Sequence, residues 1–450
     1  MDLNPRLHQV AVVGAAGKMG SGIALLLALE MTWRALEQAD AQADAQSGAP
    51  WILNLIDLDD HALQSLLRYL REHAAKDAEK QINRLRAAFR DRPGLVDNQD
   101  MVQEFVFEVL LRCRTGRTLA LAKDAQMVFE AAFEAEEVKH AIYRELASLC
   151  GPGTFFLSNT SSIPLGALGE ACGLSGRIIG FHFYNPPAVQ KLVEVIQPRR
   201  CDPELVQAAA LLAHALHKKT VPASDVAGFI GNGHFIRDGL RAVREVERLA
   251  PEHGYLPALL MVERVTRDFL LRPMGIFQLL DYVGLDVFRS ITQVMTRYLG
   301  EDLSCDLLER YLAQGVRGGQ GAGGVPRAGF LKYQKGRPVA AYDPARKEYQ
   351  DLDAPWAREA EARLGPLPEP VLTWKALSRD PDPAPRLEAW FQALGRLDTL
   401  GAELAKGAYR ASRETALDLV RQGVANRPED VNDVLKLGFY HLYGPVTDYL

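Results

Sequence analysis

The stretch VAVVGAAGKMGSGIA at residues 10–24 contains a short apolar run that ends at Gly14, with further glycines at Gly17 and Gly20. A β-branched run of this length predicts a buried strand, and the apolar spacing over residues 21–36 predicts a helix. The glycines therefore lie in a strand–turn–helix unit. Such a unit predicts a parallel α/β domain at the start of the chain.

The glycine turn has the composition of a dinucleotide site. Glycine permits a tight turn and lets the backbone approach a pyrophosphate, which the helix N-terminus attracts. Asp57 ends the next predicted strand, where its carboxylate can accept from both ribose hydroxyls and repel a 2′-phosphate. The spacing here is GxxGxxG, and without these flanks a glycine trio is equally compatible with a structural turn. We predict that NAD, rather than NADP, binds at Gly14, Gly17, Lys18, Met19, Gly20 and Asp57.

Strand and helix patterns alternate over the first part of the chain and then stop. The alternation predicts a Rossmann-type, doubly wound sheet, and the helical periodicity that follows it predicts all-α domains. Strand-like runs follow at residues 51–57, 127–132, 154–157, 177–183 and 191–196. The predicted domains are residues 1–203 with insertions near 31–50 and 91–122, a helical domain at 204–333, a linker at 334–385 and a second helical domain at 386–450.

Composition excludes several classes of function. The 450 residues are 48% hydrophobic and 24% charged with a formal net charge of −5, which argues against nucleic acid as a partner. The apolar stretch at residues 10–31 contains Lys18 and four glycines, so it predicts neither a membrane span nor a signal peptide. The five cysteines form no CxxC pair, so we expect no metal site and a reducing, cytoplasmic location.

Two polar residues interrupt apolar strands within RIIGFHFYNPPAVQKLVEVIQ, residues 177–197. His182 and Glu194 lie in two predicted strands on either side of an Asn-Pro-Pro turn. A carboxylate among valines needs a partner, and pairing with His182 would orient the imidazole and raise its basicity. Taken alone, His182 is also compatible with a hydrogen-bonded core residue. The hydroxyls of SNTSS, residues 158–162, either belong to the site or cap the following helix.

Together these stretches resemble the L-3-hydroxyacyl-CoA dehydrogenase family, including the dehydrogenase part of the multifunctional fatty-acid β-oxidation protein. The resemblance rests on VAVVGAAGKMGSGIA, VFEAAFEAEEVKHAIYREL, SNTSSIPLGAL, RIIGFHFYNPPAVQKLVEVI, DVAGFIGN and LRPMGIFQLLDYVGLDV, in family order. HFYNPPAVQKLVEV is its most specific element. The resemblance implies a C-terminal helical domain like that of 6-phosphogluconate dehydrogenase, an acyl-CoA substrate, and NAD-dependent oxidation of a 3-hydroxyl group to a ketone.

The resemblance also implies roles for individual residues. His182 would be the general base that takes the proton of the 3-hydroxyl, and Glu194 would hold the imidazole. Ser161 and Asn232 would hydrogen-bond the reacting oxygen or the neighbouring thioester carbonyl. The positions that fall where the family contacts the cofactor are Glu134, Lys139 and Asn185.

The chain departs from the family pattern at three positions besides the glycine turn. The family usually has proline where Ala227 stands and arginine where Gly233 follows Asn232. It has a lysine where Val325 stands, so a role of that lysine in cofactor binding is lost here or taken by Arg327.

The C-terminus resembles a second copy of the helical domain. Residues 415–450 have a helix, a PEDVN turn, a helix and a Gly-Phe…Gly-Pro run, and their counterpart is residues 243–281. The multifunctional relatives carry two such domains, whereas single-copy relatives use theirs to form a homodimer. We therefore expect a monomer with an internal pseudo-dimer, with a homodimer or an accessory helical tail as alternatives.

Two other functions remain compatible with the sequence. The scaffold also acts on 3-hydroxy acids without CoA in lambda-crystallin-like relatives. Alternatively, the chain binds acyl-CoA or a protein partner without catalysis, an interpretation that the altered glycine turn and Val325 favour. Retention of His182 and Glu194 favours an enzyme, because a binding module needs no base with a carboxylate to orient it.

Overall fold

The computed structural model describes residues 2–41, 50–92, 94–321 and 324–450. The chain folds into two compact units, Met1–Asp225 and Val226–Leu450. The domain boundary predicted at residue 203 is therefore too early. A helix, α8 (Pro203–Ala215), and a last strand, β8 (Lys219–Ser224), still belong to the first unit. The sequence did not predict this strand because only Val221 and Ala223 are buried apolar residues and a proline, Pro222, lies between them.

The first unit is built around one eight-stranded sheet. Its other strands are β1 (Gln9–Val13), β2 (Ile52–Ile56), β3 (Cys113–Gly116), β4 (Met127–Glu130), β5 (Phe155–Ser158), β6 (Ile178–Phe183) and β7 (Leu192–Gln197). The strand order is β3-β2-β1-β4-β5-β6-β7-β8, and neighbouring strands are parallel except β6 and β7. Interior strands such as β2 and β6 are buried along their whole length, which is why their sequences are mainly apolar.

The chain direction across the sheet reverses at β1, which lies between β2 and β4. In open α/β sheets such a switch point leaves a crevice at the carboxyl ends of the strands, where ligands bind.

The helices of this unit are α1 (Asn4–Leu7), α2 (Lys18–Ala41), α3 (Asp60–Lys80), α4 (Ile82–Ala88), α5 (Asn98–Arg112), α6 (Glu136–Leu149) and α7 (Leu165–Cys172), with a 3-10 helix at Leu119–Ala122.

Both predicted insertions need correction. Residues 31–41 continue α2, and residues 42–49 lie outside the described residues. The second predicted insertion, residues 91–122, contains α5 and the edge strand β3. This strand gives no apolar signal because Arg114 and Thr115 are exposed at the border of the sheet.

The second unit is mainly helical and has one continuous hydrophobic core, which includes Ala227 and Tyr443. Its helices are α9 (Gly231–His253), α10 (Tyr255–Arg264), α11 (Ile276–Val283), α12 (Leu285–Leu299), α13 (Asp306–Ala313), α14 (Pro355–Leu364), α15 (Trp374–Leu377), α16 (Ala384–Arg396), α17 (Leu400–Arg421) and α18 (Pro428–Gly438), with a π-helix at Val265–Phe269. Within the described ranges, no helix is long and apolar enough to cross a membrane.

The segment predicted as a linker, residues 334–385, is a folded part of this unit. An antiparallel sheet is formed by β9 (Leu331–Gln334), β10 (Arg337–Asp343) and β11 (Glu348–Asp351), and α14 and α15 follow it. Ala340, Ala341 and Tyr342 of β10 are buried in the core. The polar and proline-rich composition concealed this short apolar run, which is why the sequence indicated a linker.

Candidate active site

The glycine turn follows β1 and leads directly into α2, which begins at Lys18 and continues with Met19. Gly14 has a φ of +74°, and a β carbon there would lie 2.6 Å from the carbonyl oxygen of Ala131. A β carbon on Gly20 would overlap the carbonyl oxygen of Gly14. The turn therefore requires glycine at both positions, since the strand, the helix and the end of β4 meet without room for side chains.

Asp57 follows β2 and reaches the glycine turn. Its Oδ2 accepts a hydrogen bond of 3.0 Å from the backbone N–H of Ala16. Two apolar side chains lie at the carboxyl ends of the neighbouring strands and are largely exposed, Leu58 by 80% and Phe133 by 78%. A glycine cradle, a fixed carboxylate and exposed apolar groups fit the phosphates, ribose and adenine of a dinucleotide.

Lys139 lies in α6 and is buried, with 1% of its surface exposed. Its ammonium group lies 2.7 Å from Oε1 of Glu130 and 3.2 Å from Oε2 of Glu134. Burial lowers the pKa of Lys139, but the two carboxylates more than offset this and raise it above its ordinary value. The ion pairs place Lys139 directly beneath Glu134. The predicted contacts of Lys139 and Glu134 with the cofactor stay predictions.

Glu134 holds the loop that carries Ser161. Its Oε1 accepts from the Thr160 hydroxyl at 2.6 Å, from the Ser161 N–H at 2.9 Å and from the Ser162 N–H at 3.2 Å. Burial raises the pKa of Glu134, but Lys139 and these donors lower it to a net value below the ordinary one. The carboxylate therefore stays ionised and fixes the backbone of the SNTSS loop after β5.

His182 and Glu194 face each other across β6 and β7, the antiparallel pair in the sheet. Nδ1 of His182 lies 3.3 Å from Oε1 of Glu194, and the glutamate side chain is completely buried. The strands bring the two residues together because they occupy directly opposed positions in the register. The two polar residues that interrupt the apolar strands, His182 and Glu194, thus contact each other.

Tyr184 is a further member of this site that the sequence reasoning did not identify. Its hydroxyl donates to Oε1 of Glu194 at 2.6 Å, the same oxygen that faces His182. A signal was available, because Tyr184 directly follows β6 and lies two residues after His182, the spacing at which extended residues point to the same face. Tyrosine is common in strands, however, so it does not stand out as His182 does.

Asn185 lies in the turn between β6 and β7, and this turn is held from two sides. The ammonium group of Lys218 donates to the carbonyl oxygens of Pro187 at 2.6 Å and Gln190 at 2.7 Å. A β carbon on Gly22 of α2 would lie 2.9 Å from Cδ of Pro187. The turn therefore rests directly on the helix that follows the glycine turn.

Asn232 belongs to the second unit, where it is the second residue of α9. Its predicted contact with the reacting oxygen stays a prediction. Over the described part of the chain, no three His, Cys, Asp or Glu side chains are grouped so as to hold a metal ion.

The first unit combines a glycine turn, an acid after the next strand and a His–Glu pair near the carboxyl edge of a doubly wound sheet. This combination defines a nicotinamide-dependent dehydrogenase. The description "3-hydroxyacyl-CoA dehydrogenase, NAD binding domain" matches residues 9–226, and "3-hydroxyacyl-CoA dehydrogenase, C-terminal domain" matches residues 228–327. The chain belongs to the 3-hydroxyacyl-CoA dehydrogenase family, and its cofactor is NAD.

Similar proteins carry related names. The chain is 29% identical over 331 residues to a "Probable 3-hydroxybutyryl-CoA dehydrogenase" of Bacillus subtilis, covering 73% of this chain and 98% of that protein. It is 30% identical over 245 residues to the "Fatty acid oxidation complex subunit alpha" of Shewanella frigidimarina, covering 54% of this chain and 32% of that protein. The crystal structure of 3-hydroxybutyryl-CoA dehydrogenase from Escherichia coli K12 shares the fold with a TM-score of 0.62 and 21% identity, covering 98% of this chain and 90% of that one.

Proposed function

We propose that this chain oxidises the 3-hydroxyl group of an L-3-hydroxyacyl-CoA to a 3-ketone, in fatty-acid β-oxidation or related acyl-CoA metabolism. The observation that carries this proposal is the contact of Nδ1 of His182 with the buried carboxylate of Glu194, at 3.3 Å. A buried carboxylate that orients an imidazole is the arrangement of a general base.

The proposed chemistry assigns the proton to His182. Because Nδ1 faces Glu194, the hydrogen of the neutral ring lies on Nδ1 and the lone pair on Nε2 is left to accept the hydroxyl proton. Glu194 then stabilises the imidazolium that forms. When bound, NAD supplies the acceptor for the hydride that leaves C3.

Other residues would hold the reactants in place. Ser161 and Asn232 would donate to the oxygen on C3 or to the thioester carbonyl, where negative charge develops. Glu134 would keep Ser161 in position through the backbone of its loop. The residues that would hold the cofactor are Gly14, Gly17, Lys18, Met19 and Gly20 at the phosphates and Asp57 at the ribose. Further contacts with the cofactor would come from Glu134, Lys139 and Asn185.

The test is the oxidation of NADH with acetoacetyl-CoA by the wild-type chain, by His182→Ala and by a matched control, His214→Ala. His214 lies in α8 and is exposed. We expect His182→Ala to lose about 10²–10⁴-fold in kcat, the usual contribution of a general base. The control should keep the wild-type rate. A wild-type rate in His182→Ala would remove this residue from the mechanism.

The same assay separates the alternatives. Turnover of free acetoacetate but not of acetoacetyl-CoA would support a dehydrogenase of a 3-hydroxy acid without CoA. Binding of acetoacetyl-CoA, measured by calorimetry, without turnover of any 3-ketoacyl-CoA would support a non-catalytic acyl-CoA-binding relative. Either result contradicts the proposed function.

We also propose that the helices of the second unit form an internal pseudo-dimer, so that the protein is a monomer. Support comes from the close approach of α9 and α17. A β carbon on Gly233 would lie 2.9 Å from Cδ2 of Leu419, and Nε2 of His234 lies 2.9 Å from the hydroxyl of Ser412. The C-terminal helices thus occupy a face of α9 within one chain. Light scattering should give the chain mass of 49.7 kDa, and twice that mass would contradict the proposal.

We also propose that the protein is located in the cytoplasm. All five cysteines are free thiols, as expected of a protein in a reducing compartment. Fractionation of the cells followed by immunodetection would test it, and recovery outside the cytoplasm would contradict it.

A further inference from the structure

One oxygen of Glu194 accepts two hydrogen bonds from side chains of β6 and the turn that follows it. Oε1 lies 3.3 Å from Nδ1 of His182 and 2.6 Å from the hydroxyl of Tyr184. The shorter of the two contacts is the one made by the tyrosine. The carboxylate that is proposed to orient the base is therefore shared with a second donor.

The arrangement follows from the end of β6. His182 lies in β6 and Tyr184 directly after it, and their rings lie 5.0 Å apart between centroids. Glu194 stands opposite His182 on β7. On its other side, β8 places the apolar Val221 opposite Glu194. Two titratable groups are thus described in contact with the carboxylate, the imidazole of His182 and the phenol of Tyr184.

We propose that Tyr184 is a positioning residue that fixes the carboxylate of Glu194 and limits how strongly this carboxylate supports His182 as the base. The inference rests on the proposed function, because it acts through the same His–Glu pair. Tyr184 is thereby a third member of the site, and its role needs no contact with substrate or cofactor.

Two physical effects support this role. An O–H···O bond of 2.6 Å to an ionised carboxylate is a strong, charge-assisted bond that restricts the rotation of the acceptor. It also draws charge from Oε1, so less negative charge remains to stabilise a positive imidazole. Burial, and then the neighbouring Glu194, raise the pKa of Tyr184 well above its ordinary value. The phenol therefore remains a donor throughout the working pH range.

The variant Tyr184→Phe removes the donor and keeps the ring. With the phenol gone, the carboxylate stabilises the protonated base more strongly. The rise of kcat/KM with pH in the oxidation of 3-hydroxybutyryl-CoA should then move to higher pH by about 0.5–1 unit. The fall of kcat/KM with pH in the reduction of acetoacetyl-CoA should move in the same direction, since both report protonation of the same base.

The matched control is Thr154→Val, which removes another buried hydroxyl of the same unit. Thr154 donates to the carbonyl oxygen of Ala125 at 2.7 Å. It lies just before β5, at the amino end of the strand, whereas the His182 site lies near the carboxyl ends. A general loss of packing would lower the plateau of kcat/KM in either variant but would leave the midpoint of the profile in place. Only a change at the base moves the midpoint.

A second measurement is independent of turnover. The imidazole resonance that is absent from the NMR spectrum of His182→Ala identifies His182, and its titration midpoint in the protein without cofactor should rise in Tyr184→Phe. Unchanged midpoints in both the profile and the titration would overturn the inference. If the wild-type chain turns over no 3-hydroxyacyl-CoA, the proposed function fails, and the NMR titration alone decides the role of Tyr184.

Discussion

Nζ of Lys139 lies 2.7 Å from Oε1 and 2.9 Å from Oε2 of Glu130, and both side chains are buried. The pair joins α6 to the end of β4. Glu130 also accepts from the hydroxyl of Ser158 at 2.7 Å, and Lys139 reaches Glu134 at 3.2 Å. The loop that carries the proposed substrate-binding serine therefore rests on a buried charge network that joins a helix and two strands.

Breaking this network should strongly destabilise the first unit. Lys139→Met removes the ammonium group and leaves the buried carboxylate of Glu130 without its counter-charge, which costs about 3–5 kcal/mol. Urea denaturation followed by circular dichroism measures the loss. Lys123→Met, on an exposed lysine 4.0 Å from Asp124, is the control and should change the free energy of unfolding by less than about 0.5 kcal/mol. Equal losses in both variants would contradict a special role of the buried pair.

Glu194→Gln should separate catalysis from cofactor binding. The amide keeps the shape of the side chain but loses the charge that stabilises a protonated His182, so we expect kcat to fall by about 10²-fold. Because Glu194 lies on β7, away from the glycine turn on β1, the Kd for NADH should stay within about twofold of the wild-type value. Steady-state kinetics and fluorescence titration with NADH measure the two quantities. A parallel loss of both would show that the substitution disturbs the sheet.

Much of the sheet was predictable because strands that are buried on both faces consist mainly of apolar residues. Every residue of β2, β4 and β6 is buried, and each strand is apolar except for one residue, namely Asn54, Glu130 and His182. The border strands β3 and β8 lack this signal, since one side of each meets solvent and their residues are partly polar. The small sheet formed by β9, β10 and β11 was missed for the same reason.

The site was predictable where a polar residue contradicts its local pattern. His182 and Glu194 stand in apolar strands, so each is expected to have a polar partner. The register of β6 and β7 places the two residues opposite each other. Lys139 sits in an ordinary amphipathic helix, and its partner Glu130 ends a strand nine residues earlier. No sequence periodicity relates a strand end to a helix face, so the interior position of Lys139 emerged only from the fold.

Glu263 should make the stability of the second unit depend on pH. It is buried in α10 with Oε2 accepting from the Phe277 N–H at 2.8 Å, and burial raises its pKa from 4.5 to about 7. The folded state therefore holds the proton more tightly than the unfolded state. Its contribution to stability is complete below pH 4.5 and is lost as the pH rises to about 7, by an amount on the order of 3 kcal/mol.

The variant Glu263→Gln tests this pH dependence, since an amide accepts the same N–H without titrating. The free energy of unfolding of the wild type minus that of the variant should fall as the pH rises from 4.5 to about 7. Thermal and urea unfolding at several pH values measure the difference. Glu252→Gln, on an exposed residue of α9, is the control and should show no such trend. A flat difference for Glu263→Gln would contradict the assignment.

The tight contact of Gly233 on α9 with Leu419 on α17 offers a test of the internal pseudo-dimer. Gly233→Leu places a side chain where a β carbon alone would lie 2.9 Å from Cδ2 of Leu419, so overpacking should cost about 1–3 kcal/mol. Leu419→Ala removes the obstacle, and the double variant should be more stable than the sum of the single changes predicts. Gly407→Leu is the control, because a β carbon at Gly407 meets nothing within 4 Å and leucine favours a helix, so the chain should gain up to about 1 kcal/mol. Additive losses in the cycle would mean that the two helices do not pack against each other in solution, and the C-terminal segment would then be an accessory tail.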